Sequence, residues 1–296
     1  MPLQFTNLLP NDVLNRAERM RVNPARRRTN RQRGEHLSGR GGTSIEFADY
    51  RDYVPGDDLR DVDWNIFGRL NQPYLKLRAQ EEELHVVLMI DASTSMRFEG
   101  KFDLARQVAA ALGTMGLMGG ERVSVYSCAS KQTNPEILPA RSGRPAMRRF
   151  FKFLEDLTCG GDLPVDQAVD KVLRRHRGLG IVYVLSDFLS QADFSTSFNK
   201  LNSAGLEIAV VQILAPSEID PQLNGDLRFV DSEDQDILDV SSVGELLNIY
   251  QDHRLALEDR LATNCRKRNG RFLALSSQTP IKEVLFEKML RYGWIR

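Results

Sequence analysis

Short, almost continuous apolar runs separated by helix-periodic stretches constrain this chain more than any other feature of it. Runs rich in β-branched residues lie at 85–90, 122–127, 181–185 and 207–214, with a shorter candidate at 271–275. A strand with one wet face alternates apolar and polar residues, whereas a strand covered on both faces is apolar at successive positions. Residues 86–90 read Val-Val-Leu-Met-Ile and residues 181–185 read Ile-Val-Tyr-Val-Leu, so both faces of these strands must be packed. Between the runs, 102–118 puts Leu104, Val108, Ala111, Leu112 and Met115 on one stripe, and 165–175 repeats the pattern with Ala168, Val169 and Val172. Further helices are expected at 147–157, 194–201, 243–262 and 281–292. Strands alternating with helices predict an α/β fold, a doubly wound and mostly parallel sheet from about residue 83 onward. Ahead of it Gly39, Gly41, Gly42, Pro55 and Gly56 break up short aromatic-bearing pieces, which predicts an irregular, partly β appendage. The expected division is therefore 1–82 and 83–296.

At 296 residues, such a chain can bury most of its unfolded surface. Its longest apolar stretches fall far short of the roughly 18 to 20 residues that cross a bilayer, and no signal-peptide pattern is present, so no membrane span and a cytoplasmic location are expected. Cys128, Cys159 and Cys265 are widely spaced with no Cys-x-x-Cys pair, which predicts buried, reduced thiols rather than a disulfide or a zinc site.

The 40 basic and 40 acidic residues cancel overall but are segregated locally. Residues 16–40 carry nine arginines against Glu18 and Glu35, and residues 46–63 carry seven acids against Arg51 and Arg60. Adjacent blocks of opposite sign suit an internal charge match or an acidic partner as well as nucleic acid. A further acidic block at 231–239 reads as a solvated loop.

The sharpest chemical signal follows the first core strand, where the chain reads Asp91-Ala92-Ser93-Thr94-Ser95-Met96. Open α/β sheets bind ligands where parallel strands run out into loops. A carboxylate and two hydroxyls are hard oxygen donors suited to Mg²⁺ or Mn²⁺, and since hydroxyls carry no charge the ion would stay eager for another carboxylate. The run at 181–185 ends in Ser186-Asp187, so two parallel strands side by side would bring Asp187 to the serines. The competing reading has Ser93 and Ser95 merely capping the next helix.

Asp-x-Ser-x-Ser after a first strand and Ser-Asp after a later one resemble the metal-ion-dependent adhesion site of von Willebrand factor A domains, over residues 83 to about 290. The resemblance implies a further threonine ligand from a glycine-rich loop. The matching stretch here is Cys159-Gly160-Gly161-Asp162-Leu163, with no threonine, so Asp162, Thr158 or a water could take that place. The appendage carries a second resemblance. Gly34-Glu35-His36-Leu37-Ser38, the continuous block from Glu46 through Tyr50, Tyr53, Pro55, Gly56, Asp57 and Asp58 to Arg60, and then Asp63-Trp64 closely resemble the bacterial domain of unknown function 58 family. That family implies a von Willebrand A-like partner of a MoxR-type AAA+ ATPase in the maturation or assembly of other proteins. Many members carry N-terminal membrane helices that are absent from these residues.

In the appendage, Tyr50, Tyr53, Trp64, Phe67 and Tyr74 with their surrounding charges read as a packed, salt-bridged clasp. The exposed part of the acidic turn, Asp57, Asp58 and Arg60, is the candidate partner-docking surface. His36 reads as a structural hydrogen-bonder, and the glycine-rich 38–43 stretch as a turn lacking the lysine of a phosphate loop. Three functions compete. A metal-dependent protein-interaction module comes first, capturing an acidic side chain of a partner. A metal phosphohydrolase using Asp91 would want a second aspartate two residues on, and that position is Ser93. Nucleic-acid binding through residues 16–40 rests on charge alone. No enzymatic activity is expected.

Overall fold

The structure, a computed structural model, describes residues 5–25, 47–78, 84–128, 137–161, 165–176, 178–189, 194–221, 227–230, 237–240 and 243–296. For 47–49, 77–78, 165–167, 227–230, 237–240 and 243–246 the backbone alone is described. The chain forms two compact units, residues 1–25 with 83–296, and residues 26–82.

The smaller unit holds β1 (Phe47–Asp52) antiparallel to β2 (Tyr74–Arg78), and a short helix, α2 (Trp64–Leu70), between them. The Asp63 carboxylate caps α2 by accepting from the Asn65 and Ile66 amides, and Asn71 ends it at φ 52°. The expected irregular, partly β appendage is what these residues form. Of the residues expected to form a packed clasp, Tyr53 and Tyr74 are half-buried and Trp64 packs edge to face on Phe67, while Tyr50, Trp64 and Phe67 remain exposed.

The larger unit is built on a six-stranded sheet. Its strands are β3 (His85–Asp91), β4 (Arg122–Cys128), β5 (Ile137–Arg141), β6 (Gly180–Ser186), β7 (Leu206–Leu214) and β10 (Arg271–Ser276), in the order β10-β7-β6-β3-β4-β5. All pairings are parallel except β4 with β5. A separate antiparallel pair is formed by β8 (Leu227–Val230) and β9 (Ile237–Val240), which places the end of the acidic 231–239 block in a strand.

Alternate residues of the continuous apolar runs go to opposite faces, as strand geometry demands. Val86, Leu88 and Ile90 of β3 pack with α1 (Asn11–Ala17), α3 (Lys101–Met118) and α4 (Met147–Asp156). Val87 and Met89 pack on the other face with α5 (Val165–Arg175), α6 (Phe194–Ser203) and α8 (Val243–Arg266). Two short helices complete the unit, α7 (Pro216–Ile219) and α9 (Ile281–Glu283), the latter running into a π-helical turn at Val284–Met289. The central helix α3 lies so close to α4 that a Cβ at Gly113 would overlap the Phe150 ring.

The division expected at residue 82 is corrected at the N-terminal end. Residues 1–25 belong to the larger unit because α1 buries Val13, Leu14 and Ala17 in its core. Arg21 also pairs with the chain end, its amide donating to the Arg296 carbonyl and its carbonyl accepting from the Arg296 amide. The edge strand β5 escaped the sequence reading because it is five residues long, half-exposed and interrupted by Pro139, the pattern of an edge strand.

Candidate functional site

Strand register places the site. Ile90 of β3 pairs with Leu185 of β6, so the next residues, Asp91 and Ser186, leave the sheet side by side at its C-terminal edge. The Ser186 hydroxyl donates to Asp91 Oδ2 at 2.5 Å and accepts from the Phe188 amide at 3.0 Å. Asp91 Oδ1 accepts from the Ser93 amide at 2.9 Å, which folds the loop so that Ser93 Oγ and Ser95 Oγ come within 3.0 Å of each other. The loop after α4 is pinned to the same place. Gly160 N donates to the Ala92 carbonyl at 2.7 Å, and Arg97 holds the Cys159 carbonyl at 3.2 Å.

Asp187 is buried, and its Oδ2 lies 2.8 Å from Lys101 Nζ. The same ammonium reaches Glu218 Oε1 at 2.6 Å. Lys101 is the first residue of α3 and its side chain is completely buried. Burial first, and the neighbouring Asp187 carboxylate second, push the Asp91 carboxyl up to about 6, against the hydrogen bonds that it accepts from Ser186 and Ser93.

The structure thus brings Asp91, Ser93, Ser95 and Asp187 to one sheet edge. Asp162 lies outside the described residues, as do His36, the 38–43 turn and the Arg26–Arg28 run. Among the described residues no group of three or more His, Cys, Asp or Glu side chains is arranged to hold a metal. The donor chemistry nevertheless suits a hard divalent ion, because carboxylate and hydroxyl oxygens gather there with Asp91 as the charged member. The fourth donor, Asp187, is shared with an ammonium. In the smaller unit the candidate docking residues divide. Asp57 is turned into its own loop, accepting from Arg51 Nη2 at 2.7 Å and from the Val54 amide at 2.9 Å. Asp58 and Arg60 stay exposed, Asp58 accepting from the Arg60 amide.

Sequence reasoning missed Lys101, Glu218 and Gln212, whose Nε2 donates to the Asp187 carbonyl at 3.0 Å, and it gave Ser186 of the Ser186-Asp187 pair no role of its own. Lys101 carried one signal. A lysine at the start of a helix opposes the positive end of the helix dipole, and here it precedes a helix that is apolar nearly all round. The three cysteines are free and buried, as expected.

Over 210 residues the chain is 30% identical to an uncharacterized protein of Mycobacterium tuberculosis, a match covering 68% of this chain and 64% of that relative. The chain thus spans under two thirds of the curated relatives it matches. Among solved structures, BatB from Bacteroides thetaiotaomicron is 12% identical, with 70% of this chain and 98% of that chain covered and a TM-score of 0.44. A von Willebrand factor type A protein from Catenulispora acidiphila is 15% identical over 46% of this chain and 34% of that chain, at a TM-score of 0.36. A proximal thread matrix protein from mussel byssus, 13% identical over 44% of this chain and 38% of that one at a TM-score of 0.32, is described with a zinc-occupied MIDAS motif. The expected cytoplasmic location is corrected by one such description. A neighbour from Bacteroides fragilis, 14% identical over 69% of this chain and 98% of that one at a TM-score of 0.40, is described as an aerotolerance-related membrane protein. Among the described residues, no helix is long and apolar enough to cross a membrane. The family model described as protein of unknown function DUF58 matches residues 49–254, which include both Asp91 and Asp187, and the chain belongs to that family.

Proposed function

We propose that this chain is a protein-interaction module that docks a partner's acidic side chain through a divalent cation, Mg²⁺ or Mn²⁺, held by Asp91, Ser93 and Ser95 with Asp187 as a further oxygen. The observation that carries this reading is the pairing of Asp91 with Ser186 at 2.5 Å, which sets two loops of the sheet edge against each other. A bound ion would supply a Lewis-acidic centre with open positions. Mg²⁺ takes about six oxygens, so waters or a foreign carboxylate must complete its shell. Among the described residues the groups bonded to Asp91 are the Ser93 amide and the Ser186 hydroxyl, and the nearby Asp187 carboxylate is paired with Lys101, which favours binding over phosphohydrolysis. The partner proposed from the family resemblance is a MoxR-type AAA+ ATPase. The test is capture from the source cells by the full chain, in Mg²⁺ and in chelator, with detection of the ATPase. Retention only in Mg²⁺, lost with Ser93→Ala plus Ser95→Ala, supports the proposal. Equal capture in chelator, or by the double variant, refutes it.

A further inference from the structure

A buried lysine at a site built for a cation calls for a physical account. Lys101 has no exposed surface, and its ammonium sits between Asp187 Oδ2 at 2.8 Å and Glu218 Oε1 at 2.6 Å. Taking an ammonium out of water is costly unless well-placed oxygens replace its hydration. The chain adopts an unusual backbone to put it there. Glu99 and Gly100, immediately before α3, both have left-handed conformations, φ 42° and 77°. Glu99 is a non-glycine residue there, and it is held by the Ser277 hydroxyl on its carbonyl at 2.6 Å and by the Ser217 amide on its carboxylate at 3.3 Å. Packing around the turn thus fixes a conformation that side chains rarely adopt. The lysine also lies at the helix end where a positive charge is least favoured. Local propensity therefore argues against Lys101, and only the two carboxylates argue for it.

We propose that Lys101 is a tethered cation that holds Asp187 in place of the divalent ion, so that metal coordination by Asp187 and the Lys101–Asp187 contact exclude each other. The proposal rests on the sheet-edge metal site proposed above. Two features equip the lysine for an exchange. Glu218 is a fixed second seat, because its other carboxylate oxygen accepts from the Ala215 amide at 2.7 Å and its backbone carbonyl accepts from the Tyr250 hydroxyl at 2.7 Å. Lys101 can release Asp187 and remain paired. The backbone of Asp187 is anchored by Gln212, so an exchange asks only that its side chain leave Lys101 and the Leu189 amide, which donates to its Oδ1 at 3.2 Å. Charge points the same way. Asp91, Asp187 and Glu218 in their ionised forms outnumber Lys101 by the charge that a divalent ion brings. The lysine keeps Asp187 compensated while the ion is absent, and it sets how tightly the ion is held.

The probe is Mn²⁺ alone, titrated calorimetrically into the full chain and followed in parallel by thermal unfolding. Lys101→Met frees Asp187 and should bind Mn²⁺ roughly tenfold or more tightly than the wild type, since a cation competing at close range has been removed. It should also unfold at lower temperature in chelator and recover part of the loss in Mn²⁺. Glu218→Gln removes the second seat, confines the ammonium to Asp187 and should weaken Mn²⁺ binding severalfold; this variant carries the test if Lys101→Met fails to fold. Binding by Lys101→Met but not by the wild type would sustain this proposal and defeat the metal-dependent docking above. Equal affinity in the wild type and both variants would leave docking standing and overturn the role of Lys101. Binding by none of the three overturns both.

Discussion

Two buried groups of the larger unit titrate in opposite senses, and their sum conceals each of them. His85 is buried on β3, and burial, with the His176 ring and Arg122 as further causes, lowers its pKa from 6.5 to about 4. The hydrogen bonds fix one neutral arrangement. The Gly178 carbonyl can only accept, so His176 Nε2 donates to it at 2.8 Å, leaving His176 Nδ1 to accept from His85 Nδ1 at 2.9 Å and His85 Nε2 to accept from the Ser124 hydroxyl at 2.8 Å. A proton added to His176 would set two N–H donors against each other, and one added to His85 would require the Ser124 hydroxyl to turn and accept. A histidine with a depressed folded-state pKa binds fewer protons folded than unfolded, so its stability is present above about 6.5 and drains away as the pH falls toward about 4. Between pH 7.5 and 5 that loss is about 2 kcal/mol. Asp91 runs the other way. Its carboxyl is raised from 3.8 to about 6, so the folded chain binds the proton more readily and gains about 1 kcal/mol over the same interval. The wild type should stay within about 1 kcal/mol of flat on this account, apart from other titrating groups that cancel between variants. Urea unfolding of the wild type, His85→Gln and Asp91→Asn at pH 7.5 and 5, in chelator, separates the two groups. His85→Gln should be relatively more stable at pH 5, and Asp91→Asn relatively less stable. Parallel profiles for the three proteins would refute the reasoning.

Arg271 ties three parts of the larger unit together, with Nε 3.2 Å from the buried Glu207, Nη1 donating to the Gly293 carbonyl and Nη2 to that of Asn23. Arg271→Met should cost about 3–5 kcal/mol in urea unfolding, because Glu207 stays behind as a buried charge. Adding Glu207→Gln should recover much of it. A loss below about 1 kcal/mol would show that the pair is not what holds the chain ends. Ser93→Ala with Ser95→Ala removes two hydroxyls at a loop, so unfolding in chelator should change by roughly 1 kcal/mol or less, and a larger loss would mean that the Oγ–Oγ contact is structural. Metal affinity should also fall as the pH drops below about 6, because a proton on Asp91 competes with the ion; affinity that is flat from pH 7.5 to 5 would exclude Asp91 as a ligand.

The sheet was legible because its strands are apolar on both faces, a pattern that few other structures tolerate. Asp91, Ser93, Ser95 and Asp187 followed from it, since residues after adjacent parallel strands must meet at one edge. What the pattern hid was charge inside the fold. Lys101 stands just before the apolar stripe of α3 and reads as the wet end of a helix, and nothing local reveals that Asp187 and Glu218, distant in sequence, enclose it. Glu218 is likewise unremarkable until α7 turns it inward. The N-terminal helix α1 was hidden by brevity, because seven residues, ending where the arginine-rich stretch begins, give too few turns for a period to stand out. In the smaller unit the alternating charges suggested mutual pairing. Arg51 and Asp57 do pair, while Arg60, exposed to water, reaches Asp58 only at 4.0 Å.

The central claim is that the oxygen cluster at the sheet edge holds one divalent cation, and counting bound Mn²⁺ by electron paramagnetic resonance tests it most directly. Free Mn²⁺ gives a sharp six-line signal that is broadened away on binding, so the wild-type chain at pH 7.5 should remove one ion per chain. The same titration of Ser93→Ala with Ser95→Ala should leave the free signal untouched. Loss of the signal to the same extent in both proteins would contradict the assignment and place any bound ion elsewhere on the chain.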